Sequence, residues 1–168
     1  SGIVRNMIYR DEVADRNRDQ VGWGVKMSGS ASLSGFVTAY YQAAYGQGIT
    51  SYFQDLYQGG LDMVPDGAGR LKPVGAWGGY LGLQYNISPA VYATTTYSHL
   101  RNYAGRYAGG STPWSGQYRY AQYALANIMW NITSRISTGI EYIYGRRVDM
   151  DGRSCHDNRI QTMLQVTF

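Results

Sequence analysis

RIQTMLQVTF, residues 159–168, is the stretch that decides the fold, because apolar and polar side chains alternate through it without a break. Ile160, Leu164 and Val166 fall on one face, and the residues between them fall on the other. A period of two is typical of a β-strand with one apolar and one polar face. The stretch ends on an aromatic residue, Phe168, at the carboxyl terminus. These features predict an amphipathic strand at the end of the chain.

The same alternation recurs upstream and predicts eight strands in all. Ile136, Ile140 and Tyr144 share one face of a preceding segment, whose other face carries Ser137 and Glu141. The predicted strands lie at residues 3–10, 21–33, 36–47, 77–87, 90–103, 117–132, 135–150 and 159–168.

The connections between these strands alternate in length. Ser34-Gly35, Ser88-Pro89 and Thr133-Ser134 have the composition of tight turns. The segments at 11–20, 48–76, 104–116 and 151–158 are longer. Short turns at one end and long loops at the other are expected of a transmembrane β-barrel, and a soluble β-sandwich gives no reason for this rhythm.

Composition agrees with a structure that has one face in lipid and the other in water. The chain of 168 residues has 17 Tyr and 22 Gly, and 15% of its residues are charged, against about 25% in soluble domains. No stretch has the roughly 20 apolar residues that a spanning helix needs. A membrane-spanning chain of this kind must use strands in a closed barrel. The predicted fold class is therefore an all-β, antiparallel, up-and-down transmembrane barrel, with residues 1–168 as a single domain or half-barrel.

Charge and cysteine content exclude other classes. The net charge is +4, but no run of Lys and Arg indicates nucleic-acid binding. The single Cys155 excludes an internal disulfide framework. Because the chain starts at Ser1 without a secretory signal, we expect a processed form or a fragment.

Five segments together resemble one family, the DcaP-type porins. They are VRNMIYRD (4–11), GWGVKMSG (22–29), AYGQGITSYFQDL (44–56), AWGGYLGLQY (76–85) and GIEYIYGRR (139–147), followed by the closing strand to Phe168. The resemblance implies a Gram-negative outer-membrane porin that forms trimers of sixteen-stranded barrels, of which this chain is the C-terminal half. It also implies transport of small carboxylates and recognition of Phe168 by the barrel-assembly machinery.

The predicted inner face is rich in small residues. Ser28, Ser30, Gly78, Gly82 and Gly139 fill a narrow eight-stranded barrel poorly but suit a wall beside water. This favours half of a large porin. The alternative is a free-standing eight-stranded barrel with an adhesive or structural role through its outer loops.

Charges on the predicted inner face are mostly positive. A channel wall with more arginine than carboxylate favours anions, so we expect a weakly anion-selective pore. In the alternative, Glu141 forms a cross-strand ion ladder with Arg119 and Arg159 that only stiffens the wall. Asp149 is also predicted to point inward, and almost all other acidic residues, Asp157 among them, are predicted to lie in loops. The predicted pore-lining residues are Arg5, Lys26, Arg119, Arg135, Glu141, Arg147 and Arg159.

Residues 48–76 are too many for a plain connector. Tyr52, Phe53, Asp55 and Tyr57 are the candidates for a constriction if the segment folds into the lumen. The alternative is a loop that caps the mouth or contacts a neighbouring subunit.

No catalytic or metal site is predicted. His99 and Ser98 are neighbours on opposite faces of a strand, so they cannot form a dyad. Cys155 and His156 supply only two metal ligands in the last loop. The expected partners are membrane lipid and lipopolysaccharide, the assembly machinery, two further copies in a homotrimer, and small anionic solutes, with no cofactor.

Overall fold

The chain is described by a computed structural model that covers residues 1–12, 14–57, 59, 61–66, 68–106 and 116–168. Ten strands and two short 3-10 turns make up its regular structure. The strands are β1 (Gly2–Asp11), β2 (Arg16–Ser34), β3 (Val37–Gln47), β4 (Met63–Pro65), β5 (Leu71–Pro73), β6 (Gly75–Asn86), β7 (Val91–Asn102), β8 (Tyr118–Asn131), β9 (Ile136–Asp149) and β10 (Ser154–Val166), and the 3-10 turns are Thr50–Tyr52 and Ala104–Arg106. In these residues no helix is long and apolar enough to cross a membrane.

Eight of the strands form one antiparallel sheet in the order β1-β2-β3-β6-β7-β8-β9-β10. Each strand pairs with its neighbour along the chain, apart from the β4-β5 hairpin, which is inserted between β3 and β6. The predicted eight strands and their up-and-down order are confirmed. β1 and β10 are the two edges of the sheet and do not pair with each other, so the sheet does not close into an eight-stranded barrel.

Two of the predicted long loops are wrong. β2 begins at Arg16 and β10 begins at Ser154, so the connections at these places are only residues 12–15 and 150–153. Strand pairing continues into polar sequence, for example between Tyr9 and Arg18. Where water covers both faces of a hairpin, side chains need not alternate between apolar and polar, and the pattern used for prediction disappears. The long connections that remain are residues 48–74 and 103–117.

The strand register defines two faces of the sheet. The outer face carries exposed apolar side chains in every strand, such as Val4, Met27, Leu81, Ile128 and Leu164. The inner face carries the residues between them and is mostly polar. The pattern fits lipid on one side and water on the other.

Aromatic rings lie at both ends of the outer face. His99 is stacked between Trp77 and Tyr120 near the loops, at ring distances of 4.8 and 5.6 Å. Near the turns, Trp130 is exposed on β8. Tyr120 and Trp130 are ten residues apart on one strand, which is about 33 Å along the strand. With the usual barrel tilt this is a height of about 25 Å, the height of the apolar band of an outer-membrane barrel.

Candidate functional site: the inner wall and its inserted segment

The connection between β3 and β6, residues 48–74 (the inserted segment), turns onto the inner face of the sheet. The turn begins at Gly48, whose φ of +68° is in the left-handed region. A Cβ atom at Gly48 would lie 2.5 Å from the Cε atom of Met7. Only glycine therefore allows both this backbone conformation and this close approach.

Glycines on the inner face make room for the inserted segment. Ile49 is 4% exposed and lies directly over two of them. A Cβ atom at Gly24 would be 2.5 Å from the Cδ1 atom of Ile49, and one at Gly46 would be 2.7 Å from it. At Gly78 a Cβ atom would lie 3.1 Å from the ring of Phe53. The interpretation of Gly78 as part of a wall beside water is wrong, because Phe53 covers it.

Apolar contacts hold the rest of the inserted segment in place. Leu56, which is 1% exposed, packs with Ala76, Tyr118 and Ala121 of the wall. Phe53 packs against the same cluster. A second cluster joins the inserted segment to the ends of the long hairpins and consists of Leu61, Val64, Val74 and Ala104, with Met150 against it.

A polar latch fixes the first turn of the inserted segment to β1. The Arg5 guanidinium donates to Asp62 at 2.8 Å and to the Ser51 hydroxyl at 3.1 Å. Asp62 also accepts hydrogen bonds from the Thr50 hydroxyl and from the amide and hydroxyl of Ser51, at 2.8–2.9 Å. Partial burial acts to raise the pKa of the Asp62 carboxyl, but the Ser51 and Thr50 hydrogen bonds and the Arg5 charge together lower it below the ordinary value. The carboxylate is therefore the stable form of the latch at neutral pH.

The four predicted constriction residues divide into two groups. Phe53 is half-buried against the wall, whereas Tyr52, Asp55 and Tyr57 are exposed on the inserted segment. The Tyr52 ring lies under the Arg5 guanidinium at 5.7 Å. The exposed three are the residues that a solute in the lumen would meet.

The predicted pore-lining cations are partly neutralised. Arg5 is paired with Asp62, and Arg147 is paired with Asp149 at 2.7 Å. Arg147 also lies over the Tyr118 ring at 5.3 Å. Among the residues that the structure describes, Lys26 and Arg159 point inward and form no ion pair.

Three other predicted placements change. Asp157 is not in a loop: it belongs to β10, opposite Gly145, and lines a cavity of ≈ 550 Å³ with Arg147 and Arg159. Arg119 is the extra residue at a register shift between Tyr118 and Tyr120, so alternation does not determine its face. Arg135 lies in the turn between β8 and β9. Strand extension explains the place of Asp157 and a bulge that of Arg119, and neither leaves a periodic signal in the sequence.

Glu141 does not form the ion ladder considered from the sequence. Its two carboxylate oxygens accept hydrogen bonds from the side-chain amides of Asn127 and Gln161, on the strands to either side. The register places the three residues opposite one another. A row of amide and carboxylate groups thus crosses the wall at this level, and no arginine takes part in it.

Among the described residues, the two histidines and the cysteine do not gather into a catalytic or metal site. His99 is stacked between two aromatic rings on the outer face. Cys155 and His156 lie in β10 rather than in a loop, and alternation puts them on opposite faces. The described part of the chain has no group of three or more His, Cys, Asp or Glu side chains that could hold a metal ion.

Comparison with solved structures finds the same architecture in a known channel. The outer membrane channel DcaP of Acinetobacter baumannii matches with a TM-score of 0.80 and 25% sequence identity, over 99% of this chain and 45% of that chain. The NanC porin matches more weakly, with a TM-score of 0.47 and 13% identity, over 99% of this chain and 79% of that chain. Neither a protein-family model nor a curated protein matches the sequence.

The chain is thus similar in structure to an outer membrane channel and spans less than half of its length. The open sheet of eight strands corresponds to about half of the DcaP barrel. The resemblance to DcaP-type porins drawn from the sequence segments is confirmed, and so is the outer-membrane location that it implies.

Proposed function

We propose that this chain supplies half of the wall of an outer-membrane channel, through which small polar solutes diffuse passively. The observation that carries the proposal is the inserted segment, which lies against the inner face and exposes polar and aromatic side chains there. A segment in this position narrows a lumen without filling it. Because backbone groups at the edges β1 and β10 would be unsatisfied in lipid, further strands must pair with them to close the wall.

Three observations favour a channel over a free-standing adhesive barrel. The sheet is open, the match covers about half of a larger channel, and Ser28 and Ser30 are exposed on the inner face. In a small barrel of eight strands, interior side chains pack against one another. Here the strands surround a space that is wide enough to take the inserted segment.

Conductance tests the channel and its constriction. The intact protein is reconstituted in planar bilayers, and its conductance is compared with that of Tyr52→Ala and Tyr57→Ala, which remove the exposed rings of the inserted segment. We expect higher conductance in both variants because the rings occupy the lumen. Tyr97→Ala is the matched control, since Tyr97 is a 49% exposed tyrosine on the outer face.

Deletion of residues 51–69 extends the test to the whole segment. We expect a larger rise in conductance than either tyrosine substitution gives. Unchanged conductance after the deletion would exclude the constriction. Absence of any conductance in the unmodified protein, assembled in the bilayer, would exclude the channel itself.

A weak preference for anions is the finer part of the proposal. Its support is the pair of inward cations without ion pairs, Lys26 and Arg159, while both oxygens of Glu141 accept amide hydrogen bonds. The carboxylates of Glu141 and of the inward Asp157 oppose this charge, because amide hydrogen bonds leave Glu141 negative, so the preference is small and depends on where each group lies along the lumen. Reversal potentials in a salt gradient test it: we expect a shift toward cations in Arg159→Gln and Lys26→Gln, and toward anions in Glu141→Gln. Cation preference in the unmodified protein would refute it.

Assembly and partners complete the proposal. We propose a homotrimer in the outer membrane, in contact with lipid and lipopolysaccharide. Phe168 is fully exposed at the end of the chain, which suits recognition by the assembly machinery. Chemical cross-linking in intact outer membranes tests the trimer: the ladder should end at three protomers.

A further inference from the structure

Two arginines at the loop end of the sheet line one cavity. Arg101, near the end of β7, and Arg119, near the start of β8, are both half-buried. They share a cavity of ≈ 340 Å³ with the neighbouring ends of the hairpins. The proposed channel uses neither residue.

No carboxylate neutralises this pair. Within the described ranges, neither Arg101 nor Arg119 forms an ion pair. The nearby acids of the β9–β10 hairpin, Asp149 and Asp151, are bound to Arg147 and Arg153. The whole connection 103–117, YAGRYAGGSTPWSGQ, contains no Asp or Glu. Two arginines therefore line this cavity, and no carboxylate of the described residues forms an ion pair with either of them.

One N–H donor of the Arg101 guanidinium is also unsatisfied. Its Nε atom is buried and has no hydrogen-bond partner in the part of the chain that the structure describes. The same guanidinium lies over the Tyr103 ring at 5.3 Å, which orients it without satisfying its N–H donors. An unpaired buried donor is costly, and an anion in the cavity would satisfy it.

The position of the cavity identifies the kind of anion. Arg101 lies opposite Trp77 on one side and Tyr120 on the other, so it is part of the outer aromatic belt. Rings of this kind lie at the level of the lipid headgroups. Long loops of outer-membrane barrels are extracellular and short turns are periplasmic. Arg101 and Arg119 therefore lie at the headgroup level of the outer leaflet.

We propose that Arg101 and Arg119 bind a phosphate group of lipid A, the phosphorylated glycolipid base of lipopolysaccharide in that leaflet. Guanidinium groups bind phosphate through paired, charge-assisted hydrogen bonds. The inference rests on the membrane orientation that the proposed function assumes. It adds a specific lipid site to a wall whose outer face is otherwise mostly apolar.

Binding of purified lipid A to the intact protein in detergent tests the site, with native mass spectrometry as the readout. The probes are lipid A with both phosphates, the same lipid after removal of the phosphates, and inorganic phosphate. We expect the bisphosphorylated lipid to bind, and the variant Arg101→Gln/Arg119→Gln to lower its affinity at least about tenfold. The control variant Arg10→Gln/Arg153→Gln removes the same charge from exposed residues at the same end and should keep the affinity.

A second variant separates loss of binding from loss of folding. Arg101→Lys/Arg119→Lys keeps both charges and should recover part of the affinity, while heat-modifiable electrophoresis reports whether each variant is folded. Equal affinity of the Gln variant and the unmodified protein would overturn the proposal, as would equal binding of the dephosphorylated lipid. Inorganic phosphate that competes as strongly as lipid A would show a simple anion site and overturn the lipid assignment.

Conductance in bilayers free of lipopolysaccharide distinguishes this inference from the proposed function. Arg101→Gln alone, which leaves every predicted pore-lining residue in place, should conduct like the unmodified protein. Lipid A binding without conductance would refute the channel and leave the lipid site intact. Conductance without lipid A binding would refute the lipid site and leave the channel intact.

Discussion

Substitution of Asp62 by alanine should loosen the first turn of the inserted segment while the segment as a whole stays on the wall. The carboxylate accepts hydrogen bonds from Arg5, Thr50 and Ser51. The alanine variant leaves the Thr50 side chain, which is 0% exposed, without its acceptor. It also leaves the Arg5 guanidinium without its carboxylate.

The magnitude follows from burial. The side chains of Arg5 and Asp62 are 31% and 21% exposed. Breaking this ion pair therefore lowers stability by less than breaking a fully buried ion pair would. We expect the substitution to lower the free energy of opening this turn by about 2–4 kcal/mol, which corresponds to a rise of about 30- to 900-fold in its open population. Burial of Ile49 alone contributes about 1.5–3 kcal/mol, and Phe53 and Leu56 add to it. The apolar contacts therefore still hold the segment, and the effect is local.

Amide hydrogen exchange measures this opening directly. Residues 49–53 should exchange faster in Asp62→Ala, and open-channel current noise should rise with little change in mean conductance. Asp66→Ala is the matched control, because the described residues that donate to the Asp66 carboxylate, Ala68 and Arg70, belong to its own turn. Unchanged exchange at residues 49–53 in Asp62→Ala would refute the latch, and so would equal effects of the two substitutions.

Three further predictions concern the same wall. Because the pKa of Asp62 is lowered on folding, the latch is fully formed above the ordinary carboxyl pKa and is lost as pH falls through the lowered value. The protection factor of residues 49–53, which is their exchange corrected for the intrinsic dependence of amide exchange on pH, should stay constant from pH 8 to 5 and fall only below about pH 4. A fall near pH 6 would contradict this. Gly24→Val places a side chain where Ile49 lies and should lower the free energy of unfolding by about 1–3 kcal/mol. Thermal unfolding checks this, with Gly35→Ala as the control, because a Cβ atom at Gly35 meets no atom within 4 Å. Deletion of Phe168 should reduce the amount of assembled protein in the outer membrane without lowering its unfolding temperature, because the side chain is fully exposed. A lower unfolding temperature together with less assembled protein would show a packing role instead.

Much of the fold could be predicted from the sequence because strand alternation is a local property. The outward set of the last strand, with Ile160 and Leu164, lies where the period of two places it. Alternation of apolar and polar residues does not mark the strands where neither face is apolar, as in the extended hairpins around residues 12–15 and 150–153. It also does not give the face of Arg119, where a bulge interrupts the period.

The inner wall could be predicted only in part. The inward directions of Lys26 and Arg159 follow from alternation, but their ionic partners do not. Asp62 is one of several acids in a long connection, and no local pattern distinguishes it as the partner of Arg5. The glycines at 24 and 46 have no local signal either, because their role depends on Ile49, which reaches them only after the chain has turned.

The eight strands of the main sheet and their two faces could be predicted from the sequence alone, because lipid and water act on each strand separately. Only the tertiary structure decided that residues 48–74 lie on the inner face, that Arg5 and Arg147 are neutralised, and that Arg101 and Arg119 share a cavity without a carboxylate. Each of these depends on residues far apart in the chain, and their distances are set by strand register and by the direction of a turn. A local pattern carries no information about either.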